Sequence, residues 1–147
     1  MALKTDAVGK EWAPTTYQVG REKIKEYASA LGIDNPVHFD VGEAHRAGFR
    51  DVVAPPMFAV VYASPALMPA LFDPEVGIHF ARMVHGAQEL IWGPLVVAGD
   101  EVSTTARVAS IDERTGMGFF VFETTSTRLA DGEVVCRGTW TNIVRGT

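Results

Sequence analysis

The side chains best suited to chemistry stand together in Gly32-Ile33-Asp34-Asn35-Pro36-Val37-His38, the densest cluster of polar groups beside apolar walls in the chain. Asp34 and His38 on one irregular loop can converge on a water. One would accept its proton while the other delivers a proton to carbon, which is general acid and base chemistry. The same stretch also reads as plain structure, because Asp-Asn-Pro is a common turn sequence and a loop histidine often only bonds backbone. His85, in Val84-His85-Gly86-Ala87-Gln88-Glu89, sits at the start of a strand, where a structural histidine satisfying a neighbouring carbonyl is the commoner case. His45 is expected in solvent on a short polar helix, and His79, alternating with Ile78 and Phe80, is expected to face outward from a strand. No pair of histidines has a metal-ligand spacing and no glycine-rich phosphate loop is present, so no metal or nucleotide cofactor is expected. Cys136, in mid-strand, suits a small hydrophobe rather than a nucleophile. The absence of Gly-x-Ser-x-Gly removes the usual serine hydrolase.

The loop needs elements to hold it. Before it, Ile24, Tyr27, Ala28 and Leu31 fall at i, i+3, i+4 and i+7 with Gly32 as a left-handed stop, which predicts an amphipathic helix over residues 21 to 31. After it, Asp40 and Glu43 resemble a capping box opening a second, very short helix that Gly48 closes after Ala47. Residues 52 to 72 carry no charge. Pro55, Pro56, Pro65 and Pro69 argue against a spanning helix there, and the segment predicts a buried helix of about ten residues opening at Pro56, apolar all round. From residue 78 onward the period becomes two. Val102, Thr104, Ala106 and Val108 share one strand face; Phe119, Val121 and Thr125 lie opposite Phe120 and Phe122; and Val134, Cys136 and Trp140 lie opposite Val135, Thr139 and Ile143. Thr115-Gly116 and Asp131-Gly132 mark the hairpins between them. An antiparallel meander with one apolar helix laid on its face is an α+β fold, since neither element buries its apolar surface alone.

Bulk properties bound the rest. The chain has 147 residues, 47% apolar and 21% charged, the make-up of one globular domain spanning residues 1–147. A net charge of −5 without a basic stripe makes nucleic acid an unsuitable partner. One cysteine excludes an internal disulfide and fits a reducing compartment; with no apolar leader after Met1, a cytoplasmic protein that does not enter a membrane is expected. Aromatics on both strand faces predict that a second subunit covers part of the sheet.

Along almost its whole length the sequence resembles the MaoC-like dehydratases, and within them the fungal-synthase-like branch. The resemblance is carried by Gly20-Arg21-Glu22-Lys23-Ile24, Asn35-Pro36-Val37-His38, Val53-Ala54-Pro55-Pro56, Val84-His85-Gly86-Ala87-Gln88 and Pro94-Leu95-Val96-Val97-Ala98-Gly99-Asp100. It implies a hot-dog fold, a curved antiparallel sheet around a central helix, in dimers that pair edge to edge. It also implies metal-free hydration of trans-2-enoyl thioesters of CoA or acyl carrier protein to (R)-3-hydroxyacyl thioesters, or the reverse dehydration. Carried onto this chain, the motif assigns catalysis to His38 and Asn35, with Asp34 one residue after the aspartate position, which Ile33 fills. It assigns substrate binding to the start of the central helix, at Pro56 and Met57, with His85 beside them. Pro56 stands where glycine is frequent and has no N–H, so Met57 is the donor expected to meet the thioester oxygen. Some members of the branch are non-catalytic subunits that bind the acyl chain while a partner of the same fold supplies the dyad. A heteromer of that kind is the alternative to a homodimeric enzyme. A thioesterase ranks last, because residues 56 to 72 hold no carboxylate.

Overall fold

The computed structural model describes residues 2–146. The period-two segments form three long strands, β3 (Glu101–Arg114), β4 (Met117–Arg128) and β5 (Val134–Arg145), each paired antiparallel with the next. Thr115 and Gly116 both take positive φ, 50° and 72°, the condition for a two-residue hairpin whose twist matches its strands. Two further strands complete a five-stranded sheet in the order β1-β3-β4-β5-β2, with β1 (Thr15–Gln18) on β3 and β2 (Met83–Trp92) on β5. Val102, Thr104, Ala106, Val108, Phe120, Phe122 and Trp140 are buried on the inner face.

On that face lies the helix that the fold is built around. A 3-10 turn, Pro56–Phe58, runs into α3 (Ala59–Leu71), which packs on β3 and β4. Ala59, Tyr62, Ala63, Ala66, Leu67 and Ala70 are buried, and the alanines along this face let the helix approach the sheet closely. Two expectations are corrected here. The helix is not stopped near ten residues, since α3 alone has 13 and contains both Pro65 and Pro69. The prolines stand four apart on the exposed face, so the carbonyls that lose an N–H partner, those of Val61 and Pro65, lie where water can serve them. Nor is the helix buried all round: Met57, Met68 and Phe72 are exposed, with Phe72 at 58%.

Other local differences have local causes. His79 is no strand residue; it precedes a 3-10 turn, Phe80–Arg82. A bulge leaves Val135 unpaired between Thr127↔Val134 and Ser126↔Cys136, which puts Val134 on the face opposite Cys136. A second bulge lies at Gly86 in β2, between His85↔Asn142 and Ala87↔Thr141. A Cβ at Gly86 would lie 2.5 Å from Ile143 Cδ1, so any larger residue there would have to displace the Ile143 side chain. The bulge changes the strand's phase: Met83 and His85 point inward before it, and Gln88, Leu90 and Trp92 point inward after it. No helix among the described residues is long and apolar enough to cross a membrane.

Candidate active site

The first amphipathic helix, α1 (Arg21–Ala30), buries Ile24 and Ala28 and ends as its spacing requires, with Gly32 at φ 69° and Ile33 N–H donating to Ala28 O at 2.9 Å. The candidate loop follows. Asn35 caps the 3-10 turn Pro36–His38, its Oδ1 accepting from Val37 N–H at 3.2 Å. Asp40 then caps α2 (Val41–Arg46) by accepting from Glu43 N–H at 2.8 Å; the Glu43 side chain pairs with Arg46 rather than completing the box. His45 is exposed, with Nε2 2.9 Å from Arg50 O.

Two reciprocal contacts clamp the loop to the strand-like segment that leads into the central helix. Val53 N–H donates to Val37 O at 2.9 Å, and His38 Nδ1 lies 2.6 Å from Val53 O. A carbonyl only accepts, so Nδ1–H is the donor in this contact, and in the neutral tautomer that it selects the acceptor nitrogen is Nε2. The same segment is fixed upstream by Asp51, which receives a two-pronged contact from Arg21 and a bond from Val52 N–H at 2.7 Å. The Arg21 guanidinium holds the Asp51 carboxyl below the ordinary aspartate value.

Three residues beyond Val53 the 3-10 turn that opens the helix begins, and two side chains from distant elements tie down this entry. Trp92 Nε1–H donates to Pro56 O at 2.7 Å and Tyr27 Oη–H to Met57 O at 3.1 Å. Phe58 N–H bonds Pro55 O at 2.8 Å, while no backbone partner takes Met57 N–H among the described residues. That donor stands at the positive end of the helix and is free to meet an oxyanion. In the sequence Tyr27 belongs to the apolar stripe of α1 and Val53 to a motif of the resemblance, and no signal marks either of them, or Trp92, as a residue of the site. Val53 acts through its backbone carbonyl, which leaves no residue-type signature, while Tyr27 and Trp92 use side-chain donors whose carbonyl partners lie far away in sequence.

Other expected residues are placed less centrally. Asp34 is exposed, and no hydrogen bond joins it to His38 among the described residues. His85 lies on the inner side of β2, exposed, with its ring edge-on to Trp140 at 6.1 Å, so it packs against an indole rather than serving a carbonyl. Cys136 is buried, and burial pushes its thiol up. Tyr62, beside it, is raised for the same reason, well above the ordinary phenol value.

A single helix wrapped by a five-stranded antiparallel sheet, with a histidine loop locked to the helix entry, defines a hot-dog protein of the dehydratase type. The chain belongs to the family described as FAS1-like, dehydratase domain region, whose model matches residues 6–137. It is 39% identical over 148 residues to a UPF0336 protein of Saccharopolyspora erythraea, covering 100% of this chain and 94% of that one. Among solved structures it is similar to the C-terminally truncated HadBC (3R-hydroxyacyl-ACP dehydratase) complex from Mycobacterium tuberculosis. There identity is 30% and the TM-score 0.81, over 96% of this chain and 99% of that one. A MaoC-like dehydratase superposes with a TM-score of 0.85 at 28% identity, over 96% of this chain and 43% of that longer one.

Proposed function

We propose that this chain hydrates trans-2-enoyl thioesters to (R)-3-hydroxyacyl thioesters, or runs the reverse dehydration, with His38 as acid and base. The observation that carries this is the 2.6 Å contact between His38 Nδ1 and Val53 O, which leaves Nε2 basic on the segment that leads to the Met57 donor. In hydration a water loses a proton to Nε2 as its oxygen bonds to C3. The C2–C3 π electrons shift toward the thioester, whose oxygen takes the charge against Met57 N–H. The imidazolium then returns the proton to C2, so atoms and charge balance over the cycle. Asn35 supports the turn that carries His38, and Pro56 supplies the carbonyl by which Trp92 holds the entry. His85 and Gln88 line the inner edge of β2 and are assigned to substrate binding.

One observation favours a second reading. With Ile33 at the expected aspartate position and no bond between Asp34 and His38, the chain suits an acyl-binding subunit whose partner of the same fold supplies a complete dyad. The 30% identical structure is of a complex, the HadBC 3R-hydroxyacyl-ACP dehydratase. The test is the purified protein alone with a short-chain enoyl-CoA, followed by loss of the enoyl-thioester absorbance. Turnover that falls by about two to four powers of ten in His38→Ala supports the enzyme. No turnover until a related subunit is added replaces it with the second reading.

A further inference from the structure

Pro56 O and Met57 N–H belong to one peptide unit. The unit is planar and trans, so its carbonyl and its N–H point in opposite directions and turn together. Whatever holds the oxygen therefore aims the hydrogen. Two donors hold it: Trp92 Nε1–H at 2.7 Å, from the end of β2, and Ala59 N–H, at the start of α3. With both lone pairs of its oxygen engaged the peptide is more polarised, and its N–H donates more strongly than that of a peptide with a free carbonyl.

The place of the indole is fixed by the chain that follows it. Gly93 N–H donates to Val135 O at 2.9 Å, and a Cβ on Gly93 would run into Val134 O, so the backbone passes hard against β5 directly after the tryptophan. Tyr27 supplies a contrast at the same entry. Its Oη–H bonds Met57 O at 3.1 Å, the carbonyl of the next peptide, whose own N–H, on Phe58, is already taken by Pro55 O. Of the two aromatic donors, Trp92 alone acts on the peptide whose N–H has no backbone partner among the described residues.

We propose that Trp92 is a positioning residue for the oxyanion donor, a role that rests on the thioester reading above: its indole N–H, on Pro56 O, aims and strengthens Met57 N–H toward the thioester oxygen. The first test needs no thioester. The 15N shift of a backbone amide responds to hydrogen bonding at the carbonyl of its own peptide. Trp92→Phe should therefore move the Met57 resonance more than that of Phe58, and Tyr27→Phe should do the reverse. Trp92 is half-exposed, so a phenyl ring there leaves the buried core as it is. The same ordering in both variants, or no movement in either, overturns the assignment. The second test reads the polarisation itself, with a 2,4-dienoyl-CoA bound in the His38→Ala background, which holds the probe unreacted. Its band should lie to the red of the free thioester, because a hydrogen bond at the carbonyl draws charge along the conjugated chain. Adding Trp92→Phe should remove a large part of that shift. In the active protein the same substitution should lower kcat about tenfold, less than the loss of a whole oxyanion donor would, with KM and the pH profile set by His38 unchanged. A red-shifted band that survives Trp92→Phe overturns the role of Trp92 and leaves the hydratase reading standing. A shift that depends on Trp92 in a protein that never turns over keeps the role and transfers it to the acyl-binding subunit. No shift before Trp92 is changed removes Met57 as the donor and overturns the proposal, whether or not the probe binds.

Discussion

At the scale of single residues the open question is what accompanies His38. Its ring is fixed by a backbone carbonyl, whereas Asp34 is exposed and unbonded to it. If Asp34 swings in when substrate binds, Asp34→Asn should cost roughly two to four powers of ten in kcat with the fold intact, and Ile33→Asp should give nothing or do harm. If His38 works alone, Asp34→Asn is silent and Ile33→Asp raises the rate. The opposite signs in one enoyl-thioester assay decide between them. The loop was legible because its polar residues crowd into seven positions beside a glycine stop. What the ring rests on was not, because Val53 contributes only a carbonyl and its side chain could be any apolar one.

At the scale of elements, legibility followed how far each segment depends on its own pattern. Asp131-Gly132 and Thr115-Gly116 punctuate strands whose alternation is visible, and α1 carries both its stripe and its stop. Strand β1 was missed: Thr-Thr-Tyr-Gln has four residues and one large apolar side chain, and it is a strand only because β3 offers it a ladder. A rule that treats proline as a stop makes the central helix too short. Proline breaks a helix by what its lost hydrogen bond costs, and on the solvent face that cost shrinks. Pro65→Ala should return an N–H to the Val61 carbonyl and stabilise the fold by about 1 kcal/mol or more, raising Tm by a few degrees. A lower Tm would mean that the ring's rigidity, or a surface packed on it, outweighs the restored bond.

For the molecule as a whole, acid should be the weak side. Asp51, Asp73 and Asp131 are all held below the ordinary value, chiefly by hydrogen bonds from Arg21, Lys10 and Arg128 respectively. A carboxyl depressed in the folded state contributes stability that is fully present above its unfolded value of 3.8 and is lost as pH falls through the folded value. The urea midpoint should therefore hold from neutrality down to about pH 4 and drop below it. Added salt should narrow the drop, since all three pairs face solvent. A midpoint that is the same at pH 3 as at pH 7 would show that these pairs add nothing.

Gly86 gives the edge strand a property that no single contact describes. Because one extra residue stands in the ladder, odd positions face the helix before it and even positions after it, and this is why Trp92 reaches Pro56 while Ile91 looks outward. Each half of β2 is in phase with its own neighbours and out of phase with the other. Deleting that glycine would act like a frameshift in a message: whichever half kept its register, every side chain of the other would change sides. Along this strand, then, the number of residues matters as well as their identity, since it decides which side chains reach the core.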